Sequence, residues 1–244
     1  MDSQYAQSLH DFKKVIIKSI EDIKLTSLMD GIPHQHNIPL ATYAPWAQNQ
    51  EFLRIYTSIQ NHTLVDIYRC YELWSLCNQL KDIPGDIIEV GVWRGGTGAI
   101  LATAGSGESK VFLCDTFQGV VKAGQEDTLY KGGEHSDTTI EIVEQLLLEL
   151  KLEAEICKGV FPEDMVDLFK HSIIKFCHID VDTYSSAKEV FEFIWPRMAS
   201  GGIVVFDDYG FWGCEGITVY FNSLTIEKSI KIHNLNGHGI ILKV

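Results

Sequence analysis

The stretch from His178 to Tyr209 most constrains what this chain can fold into. It opens on His178-Ile-Asp-Val-Asp-Thr-Tyr and closes on Phe206-Asp-Asp-Tyr, so each end is an apolar strand that finishes in acids. Between them runs an amphipathic segment, Tyr184 to Met198, followed by Ser200-Gly-Gly. Strand, helix and strand make a βαβ unit whose right-handed crossover lays the two strands parallel. Asp180, Asp182, Asp207 and Asp208 then lie at the carboxyl ends of neighbouring strands, where open α/β sheets place their chemistry. Four acids in one crevice repel one another and need a metal ion, a proton or a bound cation to coexist.

The rest of the chain extends the same pattern. Residues 1–30 and 51–80 carry apolar residues at helical spacing, Phe12, Val15, Ile16 and Ile20 in the first, Phe52, Ile55, Ile59 and Leu73 in the second. Residues 31–50 hold three prolines and no period, which predicts a loop or lid. From Asp86 strands and helices alternate. Strands are predicted at 87–91, 111–115, 155–159, 173–180, 203–207, 228–235 and 239–244, with a long polar loop over 115–138. Such alternation implies a mainly parallel sheet covered on both faces. The last two strands are joined by a turn too short for a crossover and must pair antiparallel. The expected architecture is an α/β domain at 85–244 carrying a helical or lid extension at 1–84.

Composition excludes several classes. The formal net charge is −13, with no basic stripe of the kind nucleic acid requires, so no nucleic-acid partner is expected. No apolar run approaches the roughly 20 residues that span a bilayer. The first residues lack a basic region followed by an apolar core, and a cytoplasmic location is the expectation. The six cysteines form no C-x-x-C pair and sit in apolar stretches, which predicts buried reduced thiols.

The loop Glu89-Val-Gly91-Val-Trp-Arg-Gly95-Gly96-Thr97-Gly98 follows a strand and opens a helix, the context of a nucleotide-binding turn. Asp115 stands 24 residues beyond Gly91 at the tip of the next strand, where an acid accepts the ribose hydroxyls of an adenosine ligand. The spacing is wider than the G-x-G-x-x-G of dinucleotide sites, and an acid precedes the first glycine. Both features suit a cationic, phosphate-free ligand such as S-adenosylmethionine (SAM) better than a pyrophosphate.

Taken together, Glu89-Val-Gly-Val-Trp-Arg-Gly-Gly, Asp115-Thr-Phe-Gln-Gly, Lys158-Gly-Val-Phe-Pro-Glu, His178-Ile-Asp-Val-Asp-Thr-Tyr-Ser-Ser and Gly201-Gly-Ile-Val-Val-Phe-Asp-Asp-Tyr resemble the TylF-type macrocin O-methyltransferases. The resemblance covers about residues 85–225, and the paired acid motifs are its most specific part. It implies a class I SAM-dependent methyltransferase (Rossmann-like) fold with a mainly parallel seven-stranded sheet and an antiparallel last strand. It also implies dependence on Mg²⁺ and a small-molecule acceptor, a sugar hydroxyl on a natural product; a homo-oligomer is the expected assembly. By residue, it implies metal ligands at Asp180, Asp207 and Asp208 and a general base at Asp182. Cofactor contacts are implied at Glu89, Gly91, Gly95 and Thr97, at Asp115, Thr116, Phe117 and Gly119, and at Asp180. The chain departs from the family in His178, where relatives often carry a basic residue, and in an end that lacks a tryptophan-bearing strand.

Other roles compete for some of these residues. Asp182 precedes Thr183-Tyr-Ser-Ser-Ala, so a helix N-cap explains it as well as a base does. Asp207 and Asp208 are adjacent, and both can serve one ion only if the strand has ended and the backbone turns. His34, His36 and His135 are acceptor contacts or plain loop residues; His238 faces the site or is a turn residue. Trp46, Trp93 and Trp212 are packing residues or platforms for a sugar or adenine, while Tyr43, Tyr209 and Arg94 are weaker ligand contacts. A dinucleotide-dependent oxidoreductase and a non-catalytic domain of the same fold are the alternative functions.

Overall fold

The computed structural model describes residues 3–21, 25–26, 33–34, 43–105, 107 and 109–244. The chain divides into two compact units, Met1–Pro45 and Trp46–Val244. The first contains α1 (Ser3–Glu21) and a short antiparallel pair, β1 (Leu25–Thr26) with β2 (Pro33–His34). The remainder of the predicted 31–50 loop, His36 included, is mostly outside the described residues. No described helix is long and apolar enough to cross a membrane.

The second unit is built on seven strands: β3 (Asp86–Val90), β4 (Val111–Asp115), β5 (Glu155–Lys158), β6 (Ile174–Ile179), β7 (Met198–Phe206), β8 (Ser229–His233) and β9 (Gly239–Lys243). Their order in the sheet is β5-β4-β3-β6-β7-β9-β8. The first five are parallel, and β9 runs antiparallel to both β7 and β8. The chain winds outward from β3 through β4 to β5, then returns to lay β6 on the other side of β3. That reversal makes a crevice at the carboxyl ends of β3 and β6, the position where such sheets bind ligands. Ser200-Gly-Gly lies within β7, which pairs Met198 with Ile174 and then shifts register to pair Ile203 with Phe176. Gly201, at φ +81°, takes up the shift.

Two apolar layers cover the sheet. On one face α2 (Gln50–Ile59), α3 (Ile67–Gln79), α4 (Gly96–Ala104) and α5 (Ile140–Leu150) pack around Phe52, Leu73, Ile100 and Leu113. On the other, α6 (Val166–Phe169), α7 (Tyr184–Ile194) and α8 (Glu215–Ser223) pack around Phe169, Phe191, Phe206 and Phe221. This corrects the expected division at 84/85. Phe52, Ile55, Ile59, Cys70 and Leu73 are buried in the same core cluster as Ile100 and Leu101 of α4. The helices α2 and α3 therefore belong to the layer covering the sheet, and the compact unit begins at Trp46. All six cysteines are free and buried, as their apolar surroundings predict.

Candidate active site

A cavity of about 230 Å³ opens over the carboxyl ends of β3, β4, β6 and β7. One end of it belongs to the glycine loop. Gly91 adopts φ +88°, and a Cβ there would overlap the carbonyl of Asp180 on the neighbouring strand end. The glycine is thus required by strand-to-strand approach as well as by ligand access. Asp115 organises the loop from the tip of β4. Its Oδ2 accepts the backbone N–H groups of Val92 and Trp93 at 2.7 and 2.9 Å, and its Oδ1 that of Phe117 at 2.7 Å. A carboxylate offers about four acceptor positions. Three are used, which leaves one for a ligand hydroxyl.

Of the residues expected to contact a cofactor, Gly91, Thr97, Asp115, Thr116, Gly119 and Asp180 line this cavity. Glu89, Gly95 and Phe117 are not among its lining residues. Gly95 is the left-handed N-cap of α4, where a Cβ would press on Val143 of α5. Glu89 is fully buried below the loop, its Oε1 2.9 Å from Nδ1 of His178, while its Oε2 has no hydrogen-bond partner.

The other end holds the four acids. Asp180 and Asp182 follow β6, and Asp207 and Asp208 follow β7; all four line the cavity. Adjacent residues can both face it because the chain has left the strand. Asp208 lies at φ +59° and Asp182 at φ +62°, left-handed conformations uncommon for residues other than glycine. Such outliers persist where the surrounding structure over-determines them, often at functional sites. Asp182 is not the cap of α7. The N–H of Tyr184 is taken by Oδ1 of Asp127, a buried acid of the long loop, at 2.9 Å.

Electrostatics separate the acids. Burial raises the carboxyl of Asp180 well above its usual range, and the charges of Asp207, Asp208 and Asp182 add to it. Burial pushes Asp182 up to about 6, against hydrogen bonding from Tyr130. Asp208 is pushed up to about 7 by burial and then by Asp207 and Asp182. Asp207 goes the other way. Against the effect of burial, the neighbouring His238 and the charge of Arg69 hold it well below the usual carboxylate range.

Several of these partners had no signature in the sequence. Arg69 projects from α3, 7% exposed, with Nη1 2.7 Å from Oδ1 of Asp207 and 3.1 Å from Oδ1 of Asp208. Its Nε bonds Asp66, and the guanidinium lies 4.7 Å from the centre of the Phe211 ring. Helical periodicity marks α3 but cannot say that one of its polar residues turns inward. His238 is fully buried, with Nε2 3.2 Å from Oδ1 of Asp207 and Nδ1 2.6 Å from Oε2 of Glu72. Burial opposes its charge, but the carboxylates of Asp207 and Glu72 on either side outweigh it and raise His238 to about 9. Tyr130, Trp93 and His135 line the cavity from the loops above. Trp93 and Arg94 are both tied to Asp137, and Trp46 packs on Tyr68 and Tyr71.

The donor set fits a hard divalent cation. It consists of carboxylate oxygens, the ligands Mg²⁺ prefers, with Asp207 buried and Asp180, Asp182 and Asp208 half-buried, and after burial the mutual repulsion of the acids raises Asp180 and Asp208. Among the described residues, the triads of metal-ligating atoms within 4.8 Å of one another are Asp182–Asp208–Cys214 and His178–Asp207–His238. The expected ligands Asp180, Asp207 and Asp208 share the cavity without forming such a triad.

The tetracenomycin rhamnosyl 4'-O-methyltransferase of Streptomyces olivaceus is 28% identical over 170 residues, 63% of this chain and 65% of its own length. Mycinamicin III 3''-O-methyltransferase of Micromonospora griseorubida is 27% identical over 172 residues, 63% of this chain and 67% of its own length. The matched stretch therefore spans about two thirds of these relatives. In three dimensions the calicheamicin methyltransferase CalS11 superposes with a TM-score of 0.59 at 18% identity, covering 85% of this chain and 98% of that one. The likeness establishes the class I methyltransferase fold. Residues 52–238 match the macrocin O-methyltransferase (TylF) family, and the chain belongs to that family.

Proposed function

We propose that this protein is a SAM- and Mg²⁺-dependent O-methyltransferase that methylates a hydroxyl of a small molecule, a sugar on a natural product. The observation that carries this reading is that the Asp115-clamped glycine loop and four clustered carboxylates line one cavity at the switch point of the sheet. Family membership and the sugar O-methyltransferases among its relatives support the acceptor class.

In this reading Gly91, Thr97, Asp115, Thr116 and Gly119 hold SAM, with Asp180 at the boundary between cofactor and metal. Glu89 contributes negative charge from beneath the loop, and Gly95 and Phe117 shape the loop around the ligand. Asp180, Asp207 and Asp208 hold the divalent ion, whose positive charge would make a bound hydroxyl more acidic. Asp182 then accepts the hydroxyl proton. Its carboxyl is raised toward neutrality, which suits a general base, and Tyr130 hydrogen-bonds it. The cavity walls contribute orientation, since effective molarities of about 10⁵–10⁸ M are reached by well-aligned intramolecular groups. A homo-oligomer is part of this reading, supported by the exposure of Phe12 and Val15 on α1.

The test is methyl transfer with purified protein in the presence and absence of EDTA, beside calorimetry with S-adenosylhomocysteine (SAH) and NAD. Loss of turnover in EDTA, restored by Mg²⁺, is expected, as is binding of SAH. Full turnover without a divalent ion sinks the metal assignment. Binding of NAD without SAH sinks the methyltransferase reading in favour of an oxidoreductase.

A further inference from the structure

A polar line runs from the half-buried Glu72 of α3 to the acid cluster. Asn234 Nδ2 donates to Oε1 of Glu72 at 2.6 Å, and the other oxygen, Oε2, meets Nδ1 of His238 at 2.6 Å. Across the imidazole, Nε2 of His238 lies 3.2 Å from Oδ1 of Asp207. Nδ1 is held by Glu72, while Nε2 meets Asp207 at ion-pair distance without the alignment of a hydrogen bond, so the ring stands between two carboxylates. His238 is fully buried and Asp207 is 2% exposed. Burying these two polar groups is costly unless each is held in place.

Direction gives the line its meaning. His238 and Arg69 both approach the same oxygen of Asp207, Oδ1. The carboxylate is pinned from behind, and its Oδ2 is left as the atom with which Asp207 can serve a ligand in the cavity it lines. An imidazole held by one carboxylate and aimed at a second group is an orienting device that recurs behind metal sites. Here the device starts outside the cofactor loops, on α3, and passes through the turn before the last strand.

We propose that Glu72 and His238 are positioning residues that orient Asp207 for divalent-ion binding. The inference rests on the metal assignment made above. It predicts that metal affinity depends on two side chains that touch neither cofactor nor acceptor.

The experiment uses Mn²⁺ as the probe, with free ion counted by electron paramagnetic resonance, on the whole chain without SAM or acceptor. His238→Leu is expected to weaken Mn²⁺ binding by about 10–100-fold, the usual cost of losing such a partner. His238→Gln, which keeps a polar N–H facing Asp207, is expected to recover part of that loss, and Glu72→Gln to show a smaller loss in the same direction. SAH affinity within about twofold of the parent serves as the control for folding. Unchanged Mn²⁺ affinity in His238→Leu, while Asp207→Asn abolishes binding, overturns the proposal and leaves the metal assignment standing. A parent protein that binds no Mn²⁺ overturns both. If His238→Leu loses SAH binding as well, the near-isosteric Glu72→Gln decides, and parental Mn²⁺ affinity there overturns the proposal.

Discussion

Oδ1 of Asp127 accepts the backbone N–H of Tyr184 at 2.9 Å, so the first turn of α7 is capped by a residue 57 positions earlier in the chain. Its Oδ2 accepts from Gly124 at 2.9 Å, which ties the long loop to the helix that carries the acid motif. This leaves Asp182 free of capping duty. Asp127→Ala is expected to destabilise the fold by about 1 kcal/mol, as cap removals do. Urea unfolding measures it, and a change near zero would return the capping role to Asp182.

Asp182 itself should behave as an active-site residue. Asn tolerates the left-handed conformation at φ +62°, so Asp182→Asn keeps the backbone. It also removes one of four mutually repelling charges. The expected outcome is a melting temperature equal to or above the parent's, with turnover reduced about 10²–10⁴-fold, the usual contribution of a general base. A loss of stability with turnover intact would contradict the base assignment.

Metal-free stability should fall as pH rises. Asp182 at about 6, Asp208 at about 7 and His238 at about 9 all lie above their ordinary values. Each group binds its proton more tightly in the folded state, so its contribution is present at low pH and is lost as pH passes the folded value. In EDTA the melting temperature is expected to decline from pH 6 to pH 9, and added Mg²⁺ is expected to flatten the decline. A profile in EDTA that rises across this window would refute the electrostatic account of the cluster.

Arg69 carries the main fixed positive charge against Asp207 and Asp208. Removing one partner of a buried pair typically costs about 3–5 kcal/mol. Arg69→Met should lose stability on that scale in EDTA, and Mg²⁺ should restore part of it. A variant as stable as the parent in EDTA would show that the acids are neutralised by protons alone.

Gly91 tests the meeting of β3 and β6. A side chain there faces both the positive φ and the carbonyl of Asp180, so Gly91→Ala should cost about 1–3 kcal/mol through backbone strain alone. SAH affinity should fall with it, because the shifted strand end carries part of the cavity wall. Calorimetry showing parental affinity and stability would mean that the glycine is dispensable.

Much of this was legible in the sequence because its cause is local. Alternating apolar runs and amphipathic segments require a parallel sheet covered on both faces, and a short turn at 234–238 requires an antiparallel last strand. Acids that end neighbouring parallel strands gather at one edge of such a sheet, so strand order alone brings Asp180, Asp182, Asp207 and Asp208 together. The break at 84/85 was misplaced for an equally local reason. The texture changes at Asp86, but the apolar faces of α2 and α3 say only that they pack, and their core partners on α4 follow later in the chain.

What tertiary structure alone decided concerns which polar atoms meet. The sequence by itself determined the fold class, the crevice and the residue types that line it, because periodicity and strand ends are properties of neighbouring residues. It left Asp182 equally explained as a cap or a base, and only Asp127, brought in by the long loop, settled the cap. It marked His238 as a turn residue or a site residue, and only the closure of β9 against β7 buried it against Asp207. Arg69 and Glu72 were anonymous charges on an amphipathic helix until packing turned them inward. Charge pairing in the interior depends on distances between segments far apart in the chain, and these exist only once the sheet has assembled.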